Sequence, residues 1–285
     1  MSDHDARPAA HRRAFRELHE AGCFVLPNPW DVGSARYLRH LGFKALATTS
    51  AGHAFARGLP DGTDAVTLED ALAHFTELAQ ACGLPLNADF QSGYADDPDG
   101  VARNVRRCVD TGVAGLSIED ATGDAQRPLY DLALARERIQ AARQAIDASG
   151  TGVVLTARAE CYLVGHADPL AESIRRLRAY AEAGADVLYA PGCSGREAIA
   201  AIVGAVAPRP VNILMGWNEG LTVDDLAALG ARRISVGGAL ARAAWTGFIR
   251  AATALAEQGS FAGFDGAVPY SELNALFSRD ARERG

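Results

Sequence analysis

The sequence predicts a single-domain α/β protein built as a (β/α)8 barrel, with a helix before the barrel and a helical tail after it. Three observations point to this class. Short apolar runs alternate with amphipathic helical segments, and eight such units fit within the 285 residues. Several of the helical segments stop at a glycine that leads straight into the next run, namely Gly42, Gly112, Gly184 and Gly230. Twice, on consecutive units, an apolar run ends in acidic or amide groups and breaks into a glycine-containing loop, as in PLNADFQSGY and AGLSIEDATGD. An even count of eight favours closure into a barrel over a doubly wound open sheet.

In chain order, Arg7 to Ala21 has helical spacing and ends at Gly22. The eight apolar runs are Cys23–Pro27, Lys44–Thr48, Pro85–Ala88, Ala114–Ile118, Gly152–Ala157, Asp186–Ala190, Val211–Met215 and Arg233–Val236. The helices between them are placed at about 32–41, 68–82, 98–111, 132–148, 169–183, 196–206 and 223–229, with a last one at 239–257. A long loop is expected from run two through Asp61. The expected division is an N-terminal helix over 1–22, the barrel over 23–257 and a C-terminal extension over 258–285 that carries a short amphipathic helix.

Composition narrows the function. A chain that is 48% hydrophobic can bury a substantial core, and a barrel of this length is ordinary. The net charge of −7 comes from 28 basic and 35 acidic residues spread along the chain, which argues against nucleic acid or an anionic membrane as partner. No apolar run is long enough to span a bilayer. The opening MSDHDARPAAHRRAF lacks the apolar centre of a secretory signal. Five scattered cysteines without CxxC spacing read as free thiols, so a reducing cytoplasm is the expected location.

The residues at the run ends carry the chemistry. Asp89 and Gln91 follow the third run, and Glu119 and Asp120 follow the fourth. Carboxylates released at the C-terminal ends of buried parallel strands are how a barrel builds a site at one face. Hard oxygen donors without a histidine cluster suit Mg²⁺ better than zinc. Each of these residues taken alone reads equally well as a helix cap; their repetition on neighbouring units favours a site.

With those segments in view, the chain resembles the isocitrate lyase/phosphoenolpyruvate mutase superfamily over nearly its whole length. The segments are PNPWDVGSAR (27–36), TTSAGHAFARGLPD (48–61), NADFQSGY (87–94), GLSIEDATG (115–123), TARAE (156–160), GADVLYAPG (184–192), VNIL (211–214) and LGARRISVGG (229–238). The resemblance implies an enzyme dependent on Mg²⁺ or Mn²⁺ that cleaves or forms a C–C or P–C bond beside a 2-oxo or enolate carboxylate. It makes Asp89 the direct metal ligand, with Gln91 and Glu119 ordering metal-bound water, where Glu160 is expected to join them because it follows Arg158 by two and shares its side of the strand. It makes Arg158 the holder of the substrate carboxylate, Thr49, Ser50 and Ala51 the loop around the oxo-acid, and Asp61 the acidic residue of the segment over the site. Trp30, Tyr189 and Asn212 are expected at the substrate. The resemblance further implies a homo-oligomer, a dimer of dimers in which the last barrel helix is exchanged between subunits.

The departures from the pattern select among branches. The loop EDATGDAQRPLY lacks the Lys-x-Cys-Gly-His segment of classical lyases and the Lys and Asn of the mutases, and Pro191 stands where mutases carry His. These differences favour a lyase or decarboxylase acting on a small 2-oxo or 2-hydroxy di- or tricarboxylate. A phosphonomutase or phosphonate hydrolase is the alternative, and a non-catalytic oxo-acid binder is a third. His53 and His166 read as solvated loop histidines, Cys161 and Cys193 as inert thiols, and the glycines of RRISVGG as a tight turn.

Overall fold

Glycine punctuation sets the rhythm of the barrel. Gly42, Gly112, Gly184 and Gly230 have φ of 90°, 91°, 103° and 91°, a left-handed conformation that a β-carbon would strain. The computed structural model describes residues 3–62 and 65–284. The chain divides into two compact units, Met1–Gly238 and Ala239–Gly285.

The first unit holds α1 (Asp3–Glu17), β1 (Phe24–Leu26), α2 (Val32–His40), β2 (Leu46–Ala47), α3 (Ser50–Ala56), α4 (Leu68–Cys82), β3 (Leu86–Asp89) and α5 (Pro98–Asp110). It continues with β4 (Gly115–Glu119), α6 (Leu132–Ser149), β5 (Val154–Arg158), α7 (Pro169–Glu182), β6 (Val187–Tyr189), α8 (Arg196–Val206), β7 (Val211–Leu214), α9 (Val223–Ala228) and β8 (Arg233–Ser235). All strand pairs are parallel, in the order β1-β8-β7-β6-β5-β4-β3-β2. The remaining gap is bridged by the Ala47 N–H, which donates to the Pro27 carbonyl at 3.0 Å. The predicted (β/α)8 barrel is therefore the observed one, with strands within one or two residues of the expected runs.

Local chemistry starts the helices. Asp31, Thr67, Asp97, Asp168 and Thr222 each accept a backbone N–H of the first turn, satisfying donors that have no partner inside the helix. Pro98 and Pro169 occupy first-turn positions where a missing N–H costs nothing. Two expectations need correction. The first helix ends at Glu17, followed by a turn to Gly22, and the expected loop after β2 contains α3, begun by Thr49 accepting from the Gly52 N–H at 3.2 Å. With only seven residues, four of them glycine or alanine, α3 shows too little apolar periodicity to announce itself.

The apolar residues on the outer faces of the strands form one large cluster with the helices, and a smaller cluster fills the barrel's lower interior. There Phe15 of α1 is fully buried among Leu26, Ala47, Ala114, Val154 and Val187. A β-carbon on Gly115 would lie 2.6 Å from the Phe15 ring, so this plug depends on that glycine. Replacing Phe15 by Ala is expected to destabilise the protein by about 3–5 kcal/mol, the usual cost of emptying a buried phenylalanine site. Urea denaturation checks this, and a midpoint equal to wild type would contradict the plug.

The second unit consists of α10 (Ala239–Gln258), a 3-10 turn at Ala262–Phe264 and α11 (Tyr270–Arg284). Its close internal contact is at Gly263, where a β-carbon would approach the Ala251 Cα to 2.5 Å. Trp245, Phe248 and Ile249 on α10 are exposed, and the rings of the first two meet edge to face at 5.3 Å.

Candidate active site

The C-terminal ends of the strands meet around one cavity of about 190 Å³. Its rim is tied together by backbone-directed side chains. Asn28, just beyond β1, donates to the Thr48 carbonyl at 2.8 Å and accepts the N–H groups of Val236 and Gly237 at 3.0 and 2.9 Å. The Thr48 hydroxyl accepts the Asp89 N–H at 2.8 Å, and the Ser50 N–H donates to Asp89 Oδ2 at 3.0 Å. The β1, β2, β3 and β8 ends are thereby fixed against one another.

At the centre of the opposite side stands Arg158, the last residue of β5. Its Nη1 donates to Asp89 Oδ1 at 2.8 Å, its Nε donates to Glu160 Oε1 at 2.8 Å, and its Nη2 pairs with Glu119 Oε2 at 3.1 Å. Its guanidinium also lies 5.3 Å from the centre of the Tyr189 ring. Strand register explains the convergence, because Glu119 pairs with Arg158 and Arg158 with Tyr189 across adjacent strands.

Three carboxylates around one cation leave an excess of negative charge. Burial, together with the charges of Glu160, Asp89 and Asp120, pushes the Glu119 carboxyl up to about 8 despite Arg158. Burial also raises Glu160. Burial by itself would lower Arg158, but Glu160, Glu119 and Asp89 more than offset it and hold the guanidinium firmly cationic. Asp61, on the loop after α3, is raised by burial and by the charge of Asp89.

Asp120 anchors this cluster from behind. It accepts the Glu160 N–H at 2.8 Å through Oδ1, and Arg176 at 3.0 Å and the Tyr180 hydroxyl through Oδ2. Replacing Asp120 by Ala leaves Arg176 buried without this partner and frees the Glu160 backbone. A loss of about 3–5 kcal/mol is expected from breaking such a buried pair. A thermal midpoint unchanged in Asp120→Ala would show that the anchor carries nothing.

The residues expected from sequence fall into three groups. Thr49, Ser50, Ala51, Asp61, Asp89, Arg158, Tyr189 and Asn212 line the cavity. Glu119 and Glu160 reach it through their contacts with Arg158. Gln91 and Trp30 do not line it. Gln91 has a left-handed φ of 45° and lines a smaller adjoining space with His53, His74 and Tyr94, while its carbonyl accepts the Glu119 N–H at 2.9 Å. Trp30 is half-buried in the β1 loop, its N–H donating to the Ser34 hydroxyl at 3.1 Å. His53 is stacked on His74 at 3.9 Å, whereas His166 is exposed. Burial raises Cys161 to about 11 and also raises Cys193, as inert thiols require. Sequence reading missed the site roles of Asn28, Thr48 and Arg233, and singled out Asp120 as a strand-end carboxylate without its anchoring role. Thr48 flanks a singled-out residue, but nothing in one sequence says that Arg233 points into the barrel.

Among the described residues no three His, Cys, Asp or Glu side chains form a ready-made metal cluster. Mg²⁺ does not need one, since it keeps most of its waters and takes one or two carboxylates. The Asp89 carboxylate has lone pairs beyond its bonds to Arg158 and Ser50, and the unbalanced acidic charge of Asp61, Asp89, Glu119 and Glu160 is of the kind a divalent ion neutralises. The donor set therefore fits a hydrated hard cation at Asp89.

The phosphoenolpyruvate phosphomutase family profile matches residues 15–256. The chain belongs to that family. A candidate lyase/mutase from Burkholderia cenocepacia has a solved structure with a TM-score of 0.91 and 48% identity, covering 95% of this chain and 97% of that one. An oxaloacetate decarboxylase of Bradyrhizobium is 32% identical over 75% of this chain and 73% of its own length. Oxaloacetate acetylhydrolase, solved with its product oxalate, superposes with a TM-score of 0.83 at 31% identity, covering 97% of each chain. Membership places the chain in the isocitrate lyase/phosphoenolpyruvate mutase superfamily as an enzyme of the lyase/mutase type, and its relatives include carbon–carbon lyases.

Proposed function

We propose that this phosphomutase-family member is a Mg²⁺-dependent lyase that breaks the carbon–carbon bond beside the 2-oxo or 2-hydroxy carboxylate of a small polycarboxylic acid. The observation that carries the reading is the meeting of Asp89, Arg158 and the Thr49–Ala51 turn in one cavity, with Asp61 at its edge. A volume of about 190 Å³ suits a four- to six-carbon acid, and an engineered cavity of about 150 Å³ admits benzene. The likeness to enzymes of oxaloacetate supports the same size class.

Mg²⁺ held at Asp89, with Glu119, Glu160 and Gln91 ordering its surroundings, would supply Lewis-acid stabilisation of the negative charge that bond cleavage develops. Arg158 turns its remaining N–H groups to the substrate carboxylate, a planar fork matched to a planar anion. Thr49, Ser50 and Ala51 hold the oxo end, and Tyr189 and Asn212 face the rest of the substrate. Asp61, with its raised affinity for a proton, would deliver or accept one at the reacting carbon. The exposed Trp245, Phe248 and Ile249 of α10 support assembly as a homo-oligomer, and a monomer by light scattering at micromolar concentration would contradict that part.

The test is a turnover screen by NMR with oxaloacetate, isocitrate, 2-methylisocitrate, 2,3-dimethylmalate and phosphonopyruvate, with and without Mg²⁺. Pyruvate, glyoxylate, oxalate or succinate formed by wild type and metal, and absent with Asp89→Ala, is the expected result. Turnover of phosphonopyruvate alone would overturn the carbon–carbon assignment in favour of P–C chemistry.

A further inference from the structure

The floor of the cavity carries a charge that the chemistry at Asp89 and Arg158 leaves unused. Arg233, on β8, is only 2% exposed and lines the same cavity. Its Nε donates to Asn212 Oδ1 at 2.8 Å, its Nη2 to the Thr156 hydroxyl at 3.0 Å, and its Nη1 lies 3.4 Å from His19 Nε2. None of these neighbours is acidic. His19 is neutral, since burial and the charge of Arg233 drive it down to about 3. Its Nδ1 lies 2.7 Å from the Phe15 carbonyl, which can only accept, so Nε2 is the bare nitrogen facing the guanidinium. Burial lowers Arg233 itself only to about 10, so it is cationic at neutral pH.

The two arginines of the cavity are thus unlike. Arg158 is answered by Asp89, Glu119 and Glu160, whereas among the described residues no carboxylate pairs with Arg233. A buried cation without a counter-ion is unfavourable unless something supplies the missing charge. Its neighbours also prepare the wall above it. A guanidinium only donates, so Asn212 must turn Oδ1 to it, and the Asn212 Nδ2 then donates to the Ser235 Oγ at 2.9 Å. With that oxygen engaged, the Ser235 hydroxyl hydrogen is directed to the Tyr189 hydroxyl, and an acceptor entering the cavity, which both residues line, would compete for it.

We propose that Arg233 is a specificity-determining residue, selecting ligands whose far end is a second carboxylate set against the β7–β8 wall beside Asn212 and Ser235. This rests on the reading of the Asp89–Arg158 end as the site for the 2-oxo or 2-hydroxy acid group. A ligand with an apolar far end leaves the Arg233 charge uncompensated and binds weakly, whatever it does at the other end.

Calorimetry on the full chain with Mg²⁺ tests it, using L-malate and 2-hydroxybutanoate as probes. These share four carbons, a C2 hydroxyl and a C1 carboxylate, and differ in whether C4 is a carboxylate or a methyl group. Wild type is expected to bind malate at least about 10-fold tighter, the worth of one charge-assisted contact. In Arg233→Met the gap is expected to close to within about threefold with 2-hydroxybutanoate affinity unchanged, and Arg233→Lys to keep part of it. Equal binding of both probes by wild type, or a gap that survives in folded Arg233→Met, overturns the proposal while leaving the Asp89–Arg158 end intact. Should Arg233→Met not fold, Ser235→Ala must narrow the gap, and failure to do so is equally fatal. Binding of neither probe by wild type would mean that the Asp89–Arg158 reading itself is wrong, and the inference falls with it.

Discussion

Arg158→Met is expected to lower kcat/KM by about 10²–10⁴-fold, the loss of two charge-assisted hydrogen bonds to a substrate carboxylate. The same change removes the cation that faces Asp89 at 2.8 Å, Glu160 at 2.8 Å and Glu119 at 3.1 Å. Three mutually repelling carboxylates then remain, and they are expected to take up protons. The thermal midpoint of the variant should therefore fall further below wild type at pH 8 than at pH 5. Arg158→Lys should recover little activity, because a compact ammonium cannot span three partners. A variant with near-normal turnover on the substrate found by the screen, or with the same deficit in midpoint at both pH values, would remove Arg158 from the centre of the site.

The second large effect is the pH dependence of the metal-free protein, which Glu119 is expected to dominate. Burial raises its carboxyl from an ordinary value of 4.5 to about 8. Below 4.5 the group is protonated whether the chain is folded or unfolded, so it makes no difference to stability. Between the two values the folded chain keeps a proton that the unfolded chain releases, and stability falls as pH rises through this window. Above about 8 the whole penalty is present. Thermal midpoints measured without metal from pH 5 to 8.5 should decline in wild type, and Glu119→Gln should flatten the decline. Parallel curves for the two proteins would show that Glu119 does not hold its proton on folding. Mg²⁺, which favours the ionised carboxylates, should lift the midpoint more at pH 8 than at pH 5.

Much of this molecule was readable one residue at a time. The strands Gly115–Glu119 and Val154–Arg158 lie within two residues of the apolar runs that predicted them, and α8 spans the same residues as its predicted helix. Helix starts and stops depend on contacts three or four residues apart, such as Asp97 accepting from Gly100, and a single sequence displays those directly. The ends of the apolar runs likewise placed Asp89, Glu119 and Arg158 at strand ends, where a barrel carries its site.

What the sequence by itself determined is the eightfold alternation, the strand-end position of each acidic residue and the arginine among them, because periodicity and glycine conformation act locally. What only the tertiary structure decided is which of these groups touch. Asp89 and Arg158 are 69 residues apart, and Arg233 and Thr156 are 77 apart. Their meeting depends on the register of strands around a closed sheet, and so does the contrast between an arginine enclosed by three carboxylates and one that, among the described residues, pairs with none. Register is a property of the whole ring, since each strand is set by its neighbours on both sides, and no local signal in the chain encodes it.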